Sequence, residues 1–158
     1  MLAYHRGVTQ SPDTTRPTRF IPIPDDIREF IDDTKFATIA TTDPDGGPRQ
    51  AVIWYTVVGD EIVLNSKVGR RWPTNLLRDP RLSFAVTDGV DGYRWVGLIG
   101  LATAVEDLPT AQADIAGMAR RYHADDPEKA ERLIHGRFEQ QTRISFRFHL
   151  LSVTRHFD

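Results

Sequence analysis

The chain has 158 residues, of which 40% are hydrophobic and 27% are charged, and its formal net charge is −2. This length predicts one domain with its own core, and the near-neutral charge argues against a dedicated nucleic-acid binder, whose surface is usually strongly basic. The absence of cysteine excludes disulfides, zinc–thiolate sites and a cysteine nucleophile. Because the sequence has neither an apolar run of membrane-spanning length nor the apolar core of a signal peptide, we expect a cytoplasmic protein without a membrane partner.

The first part of the chain changes character near residue 20. Residues 1–20 are rich in Ser, Thr, Pro and Arg without an apolar period, and they predict a flexible arm before a single domain over residues 21–158. A short helix is expected to begin at Asp25 or Asp26, since Asp favours helix N-termini. Phe36–Thr42 then predicts a strand that ends in the turn sequence DPDGG.

Two further strands precede the central segment of the chain. Arg49–Val58 predicts one continuous strand, and Gly59 and Asp60 form a hairpin turn into a strand at Ile62–Asn65. In an extended strand Gln50, Val52, Trp54 and Thr56 share one face, and Ala51, Ile53, Tyr55 and Val57 share the other. If Gln50 faces inward, its amide needs polar partners, which the edge of a cofactor ring would provide.

The segment NSKVGRRWPTNLLRDPR, residues 65–81, predicts a short helix with an unusual charge pattern. Gly69 ends the preceding strand, and Pro73 fits the first helical turn. At helical spacing one face carries Arg71, Asn75 and Arg78. A hydroxyl and two cations, from Ser66, Lys67 and Arg70, stand just before the helix, where a phosphate or carboxylate binds readily. Solvated charges on a connecting helix explain the same pattern equally well.

The second half of the chain completes the predicted sheet. Leu82, Phe84 and Val86 alternate with smaller or polar residues and predict a half-buried strand. Tyr93–Val105 predicts a long strand with a bulge or a sharp coil at its glycines. Helices are predicted over residues 108–122 and 126–133. In the last strand, 143–150, the expected inward residues are Ile144, Phe146, Phe148 and Leu150, and the expected outward residues are Arg143, Ser145, Arg147 and His149. Six antiparallel strands with a few helices favour a small closed barrel.

Motifs of familiar enzyme classes are missing from the sequence. There is no GxSxG elbow, no P-loop and no HExxH pair, and the five histidines are scattered, so we expect no metal site. If the protein is an enzyme, an organic cofactor should carry the reactive atoms while the chain binds and orients it.

Three segments, in order, resemble a known family: TIATTDPDGGPRQAVIWY, NSKVGRRWPTNLLRDPRLSFAV and GYRWVGLIGLATAVED. They are similar to the flavin and deazaflavin oxidoreductases, the split β-barrel family related to pyridoxamine 5′-phosphate oxidase. GGPRQAVIWY and RRWPTNLLRDPR look most like its group that uses coenzyme F420. The resemblance runs from about Phe36 through QTRISFRFHLLSVTRH. It implies a mainly β fold with helices (α+β): a six-stranded antiparallel split β-barrel of the PNPOx-like FMN-binding type.

The resemblance also implies where a cofactor binds. In the family the cofactor lies in a groove at a homodimer interface, with its ring beside the second strand, which here contributes Gln50, Ala51, Val52 and Trp54. The phosphate-bearing tail is held at the start of the following helix, which here implies Ser66, Lys67, Arg70, Arg71 and Asn75, and Arg78 would extend this set toward a longer tail. Trp72 stands where many deazaflavin members have lysine. The oxidase's Arg and Lys pair on the second strand is reduced to Arg49, which disfavours vitamin B6 oxidation.

The predicted function is therefore a coenzyme F420-dependent oxidoreductase that passes a hydride to an unsaturated organic acceptor. A proton would come from solvent or from a residue such as Arg155 or His156. The first alternative is an FMN-dependent oxidase or reductase of the same fold. The others are a non-catalytic carrier of a flavin or tetrapyrrole and an OB-like nucleic-acid binder, and the near-neutral charge weighs against the last.

Overall fold

The computed structural model describes residues 18–157, so most of the predicted arm, residues 1–17, lies outside the described part. The predicted start of the first helix at Asp25 and the predicted end of the first strand at Thr42 are confirmed. In chain order the elements are α1 (Asp25–Ile31), β1 (Ala37–Thr42), β2 (Pro48–Ile53), β3 (Tyr55–Val58), β4 (Glu61–Lys67), α2 (Arg71–Arg78), β5 (Arg81–Thr87), β6 (Trp95–Val105), α3 (Leu108–Tyr122), α4 (Pro127–Leu133), a π-helical turn (Ile134–Phe138) and β7 (Arg143–His156).

The strands form one antiparallel sheet in the order β2-β1-β5-β6-β7-β4-β3. Its two end strands, β2 and β3, are consecutive in the chain, so the sheet begins and ends in the same segment and curls into a half-barrel. The sheet has seven strands rather than the predicted six because the predicted strand Arg49–Val58 divides at Trp54. Just after the break, the backbone N–H of Tyr55 donates to the hydroxyl of Tyr122 at 3.1 Å.

Alternating residues of the strands fill the barrel interior. Leu82, Phe84 and Val86 of β5 are buried, as their alternation predicts, and so are Ile53 and Tyr55 on the face assigned to the core. α1 packs on this core, and the Tyr55 hydroxyl donates to the carbonyl of Ile31 at 2.7 Å, which satisfies a buried polar group.

The predicted bulge in the long strand is confirmed at Gly100. The register between β6 and β7 shifts between Ile99 and Gly100. A Cβ atom at Gly100 would lie 1.9 Å from the carbonyl oxygen of His149, so only glycine allows the two strands to approach here.

A second apolar cluster lies outside the barrel, where α3 packs on the outer face of β4 and β7, and α4 and the π-helical turn pack against α3. Ile115, Met118 and Phe138 meet Val63 in this cluster. One prediction is therefore wrong: Arg143 and Ser145, assigned to the solvent side of the last strand, are buried because the helices cover that face. Within residues 18–157, no helix combines the length and the apolar character that crossing a bilayer requires.

Candidate functional site

The carboxylate of Asp43 joins the β1–β2 turn to α2. It accepts hydrogen bonds from Arg49 Nη2 at 2.8 Å, from Arg71 Nε at 3.1 Å and from Asn75 Nδ2 at 2.8 Å. The hydrogen bond from Arg49, together with that from Asn75, holds the pKa of Asp43 well below its usual range. Two predicted tail-binding residues, Arg71 and Asn75, are thus already engaged by a carboxylate of the chain itself.

The remaining residue of that helix face is engaged as well. Arg78 donates to the carbonyl of Thr42 and to Asn75 Oδ1, the latter at 3.3 Å. Asn75 is only 1% exposed and also donates to the Thr41 hydroxyl. The helical face predicted from spacing therefore exists, and it packs against the end of β1 and the β1–β2 turn. We call Asp43, Arg49, Arg71, Asn75 and Arg78 the Asp43 network.

The residues just before α2 are placed differently. Lys67 and Arg70 are exposed, and neither side chain makes a hydrogen bond or ion pair within the described residues. Ser66 is buried, and its hydroxyl has no partner within residues 18–157. Because this oxygen is closed to solvent, direct contact with a ligand would require the end of β4 to open.

A cleft of about 220 Å³ lies between the barrel and the helices that cover β4 and β7. It joins parts of the chain that are far apart in sequence: the end of β2, the residue before α2, α3, the π-helical turn and the start of β7. Its lining combines apolar, aromatic and basic side chains, namely Val52, Ile53, Trp54, Asn65, Arg70, Trp72, Ile115, Arg137, Phe138 and Arg143.

One wall of the cleft is aromatic. Trp54, at the break between β2 and β3, stacks on Tyr122 with ring centroids 4.9 Å apart and meets Phe138 edge to face. Trp72 of α2 is buried against Phe146 of the barrel core. These rings are fixed by their own packing, so this wall is rigid before any ligand arrives.

Three arginines line the same cleft. Arg70 immediately precedes α2, Arg137 lies in the π-helical turn, and Arg143 begins β7. Arg143 is 5% exposed; its Nε and Nη2 donate to Asn65 Oδ1 at 2.9 and 2.6 Å, and its Nη1 donates to Gln141 Oε1 at 2.6 Å. Burial, with the charges of Arg70 and Arg137, lowers the pKa of Arg143 to about 10. We call Arg70, Arg137 and Arg143 the cleft arginines.

The structure separates the remaining predicted residues. Val52 and Trp54 line the cleft, Gln50 is exposed on β2, and Ala51 is partly buried against the core. The roles of these four residues in cofactor binding stay predictions. Arg155 is ion-paired with Asp26, and His156 stacks on Trp95, so neither suggested proton source lines the cleft. Among the described residues, no group of three His, Asp or Glu side chains is arranged to hold a metal ion.

Sequence reasoning missed Arg137, Phe138 and Arg143 as lining residues. The π-helical turn has no simple sequence period, and such turns are frequent at functional sites. The sequence of α3 did carry a signal, because an amphipathic helix packs its apolar face, here with Ile115 and Met118, against another element. The outer face of the last strand is one surface that this helix can cover. Covering that face buries Arg143.

The model of the pyridoxamine 5′-phosphate oxidase family matches residues 23–154. The chain belongs to this family. A comparison with curated protein sequences finds no match. Among solved structures, a protein described as an F420 reductase is similar with a TM-score of 0.66 at 20% identity, over 84% of this chain and 98% of that one.

Two further structures share the fold. The conserved hypothetical protein Rv2991 from Mycobacterium tuberculosis has a TM-score of 0.68 at 26% identity, over 89% of this chain and 88% of that one. HutZ, a haem storage protein from Vibrio cholerae, has a TM-score of 0.64 at 20% identity, over 85% of this chain and 95% of that one. Family membership thus establishes a flavin-binding type of fold, and the neighbours that share it include both a reductase and a haem storage protein.

Proposed function

We propose that the protein binds coenzyme F420 in this cleft and catalyses hydride transfer between the reduced deazaflavin and an unsaturated organic acceptor. The observation that carries the proposal is the meeting, in one cleft, of Val52 and Trp54 from the second strand with Arg70 from the start of α2. The coenzyme has a planar ring and an anionic tail, and the apolar wall and the free arginine suit these two parts respectively. Family membership and the likeness to an F420 reductase support the same choice.

The residues of the chain would bind and orient rather than react. The ring would lie along the Gln50–Trp54 strand, and Lys67 and Arg70 would hold the phosphate of the tail. The Asp43 network would hold α2 in place, so Arg71, Asn75 and Arg78 act on the tail by positioning the helix. When bound, the coenzyme supplies the carbon that carries the hydride. The protein would then fix the orientation of the ring and partly exclude water from it, as hydride transfer requires.

We propose further that the cofactor groove is completed by a second copy of the chain. The cleft volume of 220 Å³ is below the roughly 300–1,000 Å³ of pockets that enclose whole ligands. Beside it Val52 is 68% exposed on β2, which is paired on one edge only. A homodimer should therefore be found by light scattering at micromolar concentration. A monomer that binds the coenzyme fully would contradict this proposal.

One observation favours FMN as the alternative cofactor. Of the predicted tail cations, Lys67 and Arg70 alone make no side-chain hydrogen bond or ion pair within residues 18–157. Arg71 is paired with Asp43, and Arg78 donates to the carbonyl of Thr42. A short pair of cations suits one compact phosphate, which is how FMN ends, as well as it suits the first charge of a longer tail. An FMN-dependent oxidase or reductase of the same fold is thus the second candidate.

The test is a titration followed by turnover. The purified protein is titrated with coenzyme F420 and with FMN, and the reduced F420 complex is then mixed with a panel of electron-poor enones. We expect tighter binding of F420 and reoxidation faster than in buffer. Tighter binding of FMN would favour the flavin-dependent alternative. Tight binding of F420 with no accelerated reoxidation would favour a non-catalytic carrier.

A further inference from the structure

The feature that the proposed function leaves unexplained is a buried positive charge. Arg143 is 5% exposed, yet within residues 18–157 its guanidinium forms no ion pair. Its partners are the neutral side-chain oxygens of Asn65 and Gln141, and its guanidinium lies 5.1 Å from the centroid of the Phe138 ring. Buried charges in proteins are normally paired, because an unpaired one carries a large desolvation cost.

The neighbours of Arg143 increase this cost. Arg70 and Arg137 line the same cleft, carry the same charge, and make no ion pair among the described residues. Their repulsion adds to burial in lowering the pKa of Arg143. Three like charges around one cleft are unfavourable in the ligand-free chain and become favourable when an anion enters between them.

The orientation of Arg143 is fixed in advance. Asn65 Oδ1 accepts from both Nε and Nη2, and the Phe138 ring packs against the guanidinium. Asn65 is itself held, because its Nδ2 donates to the carbonyl of Ala111 and to the Ser145 hydroxyl. These contacts use one N–H of each terminal nitrogen of Arg143, and the second N–H of each has no hydrogen-bond partner within residues 18–157.

We propose that the cleft arginines form an oxyanion site, which takes the phosphate or carboxylate of a ligand whose planar part lies against Trp54. The site rests on the proposed function only in placing a ligand in this cleft, and it requires no particular ring. Asn65 and Gln141 are its positioning residues. The two sources of the anion are the phosphate of a cofactor and the carboxylate of an acceptor.

The experiment compares matched ligands that differ only in the anion. FMN and riboflavin share a ring with and without phosphate, and cinnamate and cinnamamide share an unsaturated chain with and without charge. Dissociation constants of all four are measured by tryptophan fluorescence for the full-length protein and for Arg137→Gln, Arg143→Gln and Arg94→Gln. Arg94 is an exposed arginine that does not line the cleft, and it serves as the control for general charge loss.

We expect wild-type protein to prefer the anionic member of at least one pair by about tenfold or more, the effect of one charged hydrogen bond. The preference should approach unity in Arg137→Gln and Arg143→Gln and persist in Arg94→Gln. If the variants lose the preference for FMN over riboflavin, the site binds a cofactor phosphate. If they lose the preference for cinnamate over cinnamamide, the site binds an acceptor carboxylate. If Arg143→Gln does not fold, the ligand preference of Arg137→Gln, a change at an exposed residue, tests the site.

Three outcomes would overturn the site: unchanged preferences in the variants, an equal loss in Arg94→Gln, or no binding of any of the four ligands by the wild type. None of these ligands is coenzyme F420. Failure to bind or oxidise that coenzyme would therefore contradict the proposed function and leave the oxyanion site standing. Failure of the oxyanion test would contradict the site and leave the proposed function standing.

Discussion

Arg70 and Arg71 are adjacent in the chain, yet they belong to two opposite kinds of arginine cluster. Arg71 joins Arg49 around Asp43, where one carboxylate compensates two cations at hydrogen-bonding distance. Arg70 joins Arg137 and Arg143 in the cleft, where no carboxylate of the described residues pairs with any of them. The first cluster is complete within the chain, and the second lacks a negative charge.

One short helix, α2, thus contributes to both the stability of the fold and the binding site. The face of α2 that carries Arg71, Asn75 and Arg78 fastens the helix to the β1–β2 turn. That attachment fixes the position of the residue before the helix, Arg70, at the mouth of the cleft. The Asp43 network should therefore govern stability, whereas the cleft arginines should govern ligand affinity.

The largest expected effect comes from breaking the compensated cluster with Asp43→Asn. At pH 7 the variant should melt well below the wild type, because Arg49, Arg71 and Asn75 all lose a charged acceptor. The folded-state pKa of Asp43 is lowered from 3.8, so its stabilisation is full above that pH and is lost as the pH falls further. Thermal unfolding from pH 7 to acid should show the difference between the two proteins shrinking below about pH 4. A constant difference would contradict the role of the charge.

Arg70→Ala and Arg71→Ala should have opposite effects on affinity and stability. Arg70→Ala should weaken cofactor binding by about 1.5–3 kcal/mol, the range for a hydrogen bond to a charged group, and should leave the melting temperature unchanged. Arg71→Ala is its matched control, one residue away. Its side chain is more than half exposed, so its loss should cost at most about 1 kcal/mol of unfolding free energy, with a smaller loss of affinity. Calorimetry measures the stability of both variants, and titration measures their affinity for the cofactor. Equal losses of affinity would contradict the separate roles of Arg70 and Arg71.

A smaller effect is expected from Arg78→Gln. If the tail of coenzyme F420 extends along α2, this change should weaken F420 binding and spare FMN, which ends in a single phosphate. Because Arg78 already donates to Thr42 and Asn75, the selective loss should be below about 1 kcal/mol. Parallel titrations with the two cofactors measure it. An equal loss for both would place the tail elsewhere.

The smallest effect concerns salt. Added sodium chloride should weaken cofactor binding, since Lys67 and Arg70 are exposed and their interactions are screened. It should change the melting temperature less, because Asp43 is largely shielded from solvent. Titrations and melting curves at low and high salt test the contrast. Affinity independent of salt would indicate that the exposed cations do not contact the ligand.

Much of the fold was predictable because its signals are local. The face of α2, the alternation of β5 and the bulge at Gly100 depend on spacing and on glycine geometry, which a sequence displays directly. The break at Trp54 was not predictable in this way. It is stabilised by the hydroxyl of Tyr122, which lies 67 residues from Tyr55, and no local pattern encodes that contact.

The candidate site was predictable only in part, for the same reason. Val52, Trp54 and Arg70, which the sequence predicts to bind a cofactor, line one cleft, and their role in binding stays a prediction. Arg143 looked like a solvated residue of an alternating strand, and it became a buried cleft residue because α3 packs over that strand. Tertiary covering of a polar face cannot be inferred from the strand alone.

Whether coenzyme F420 binds in the cleft can be measured with the three tryptophans of the chain. Trp54 and Trp72 line the cleft, whereas Trp95, at the start of β6, does not. Indole N–H resonances of ¹⁵N-labelled protein are followed by NMR while coenzyme F420 is added. Binding in the cleft predicts saturable shifts that are large for Trp54 and Trp72 and small for Trp95. Shifts confined to Trp95, or no saturable shift at all, would contradict it.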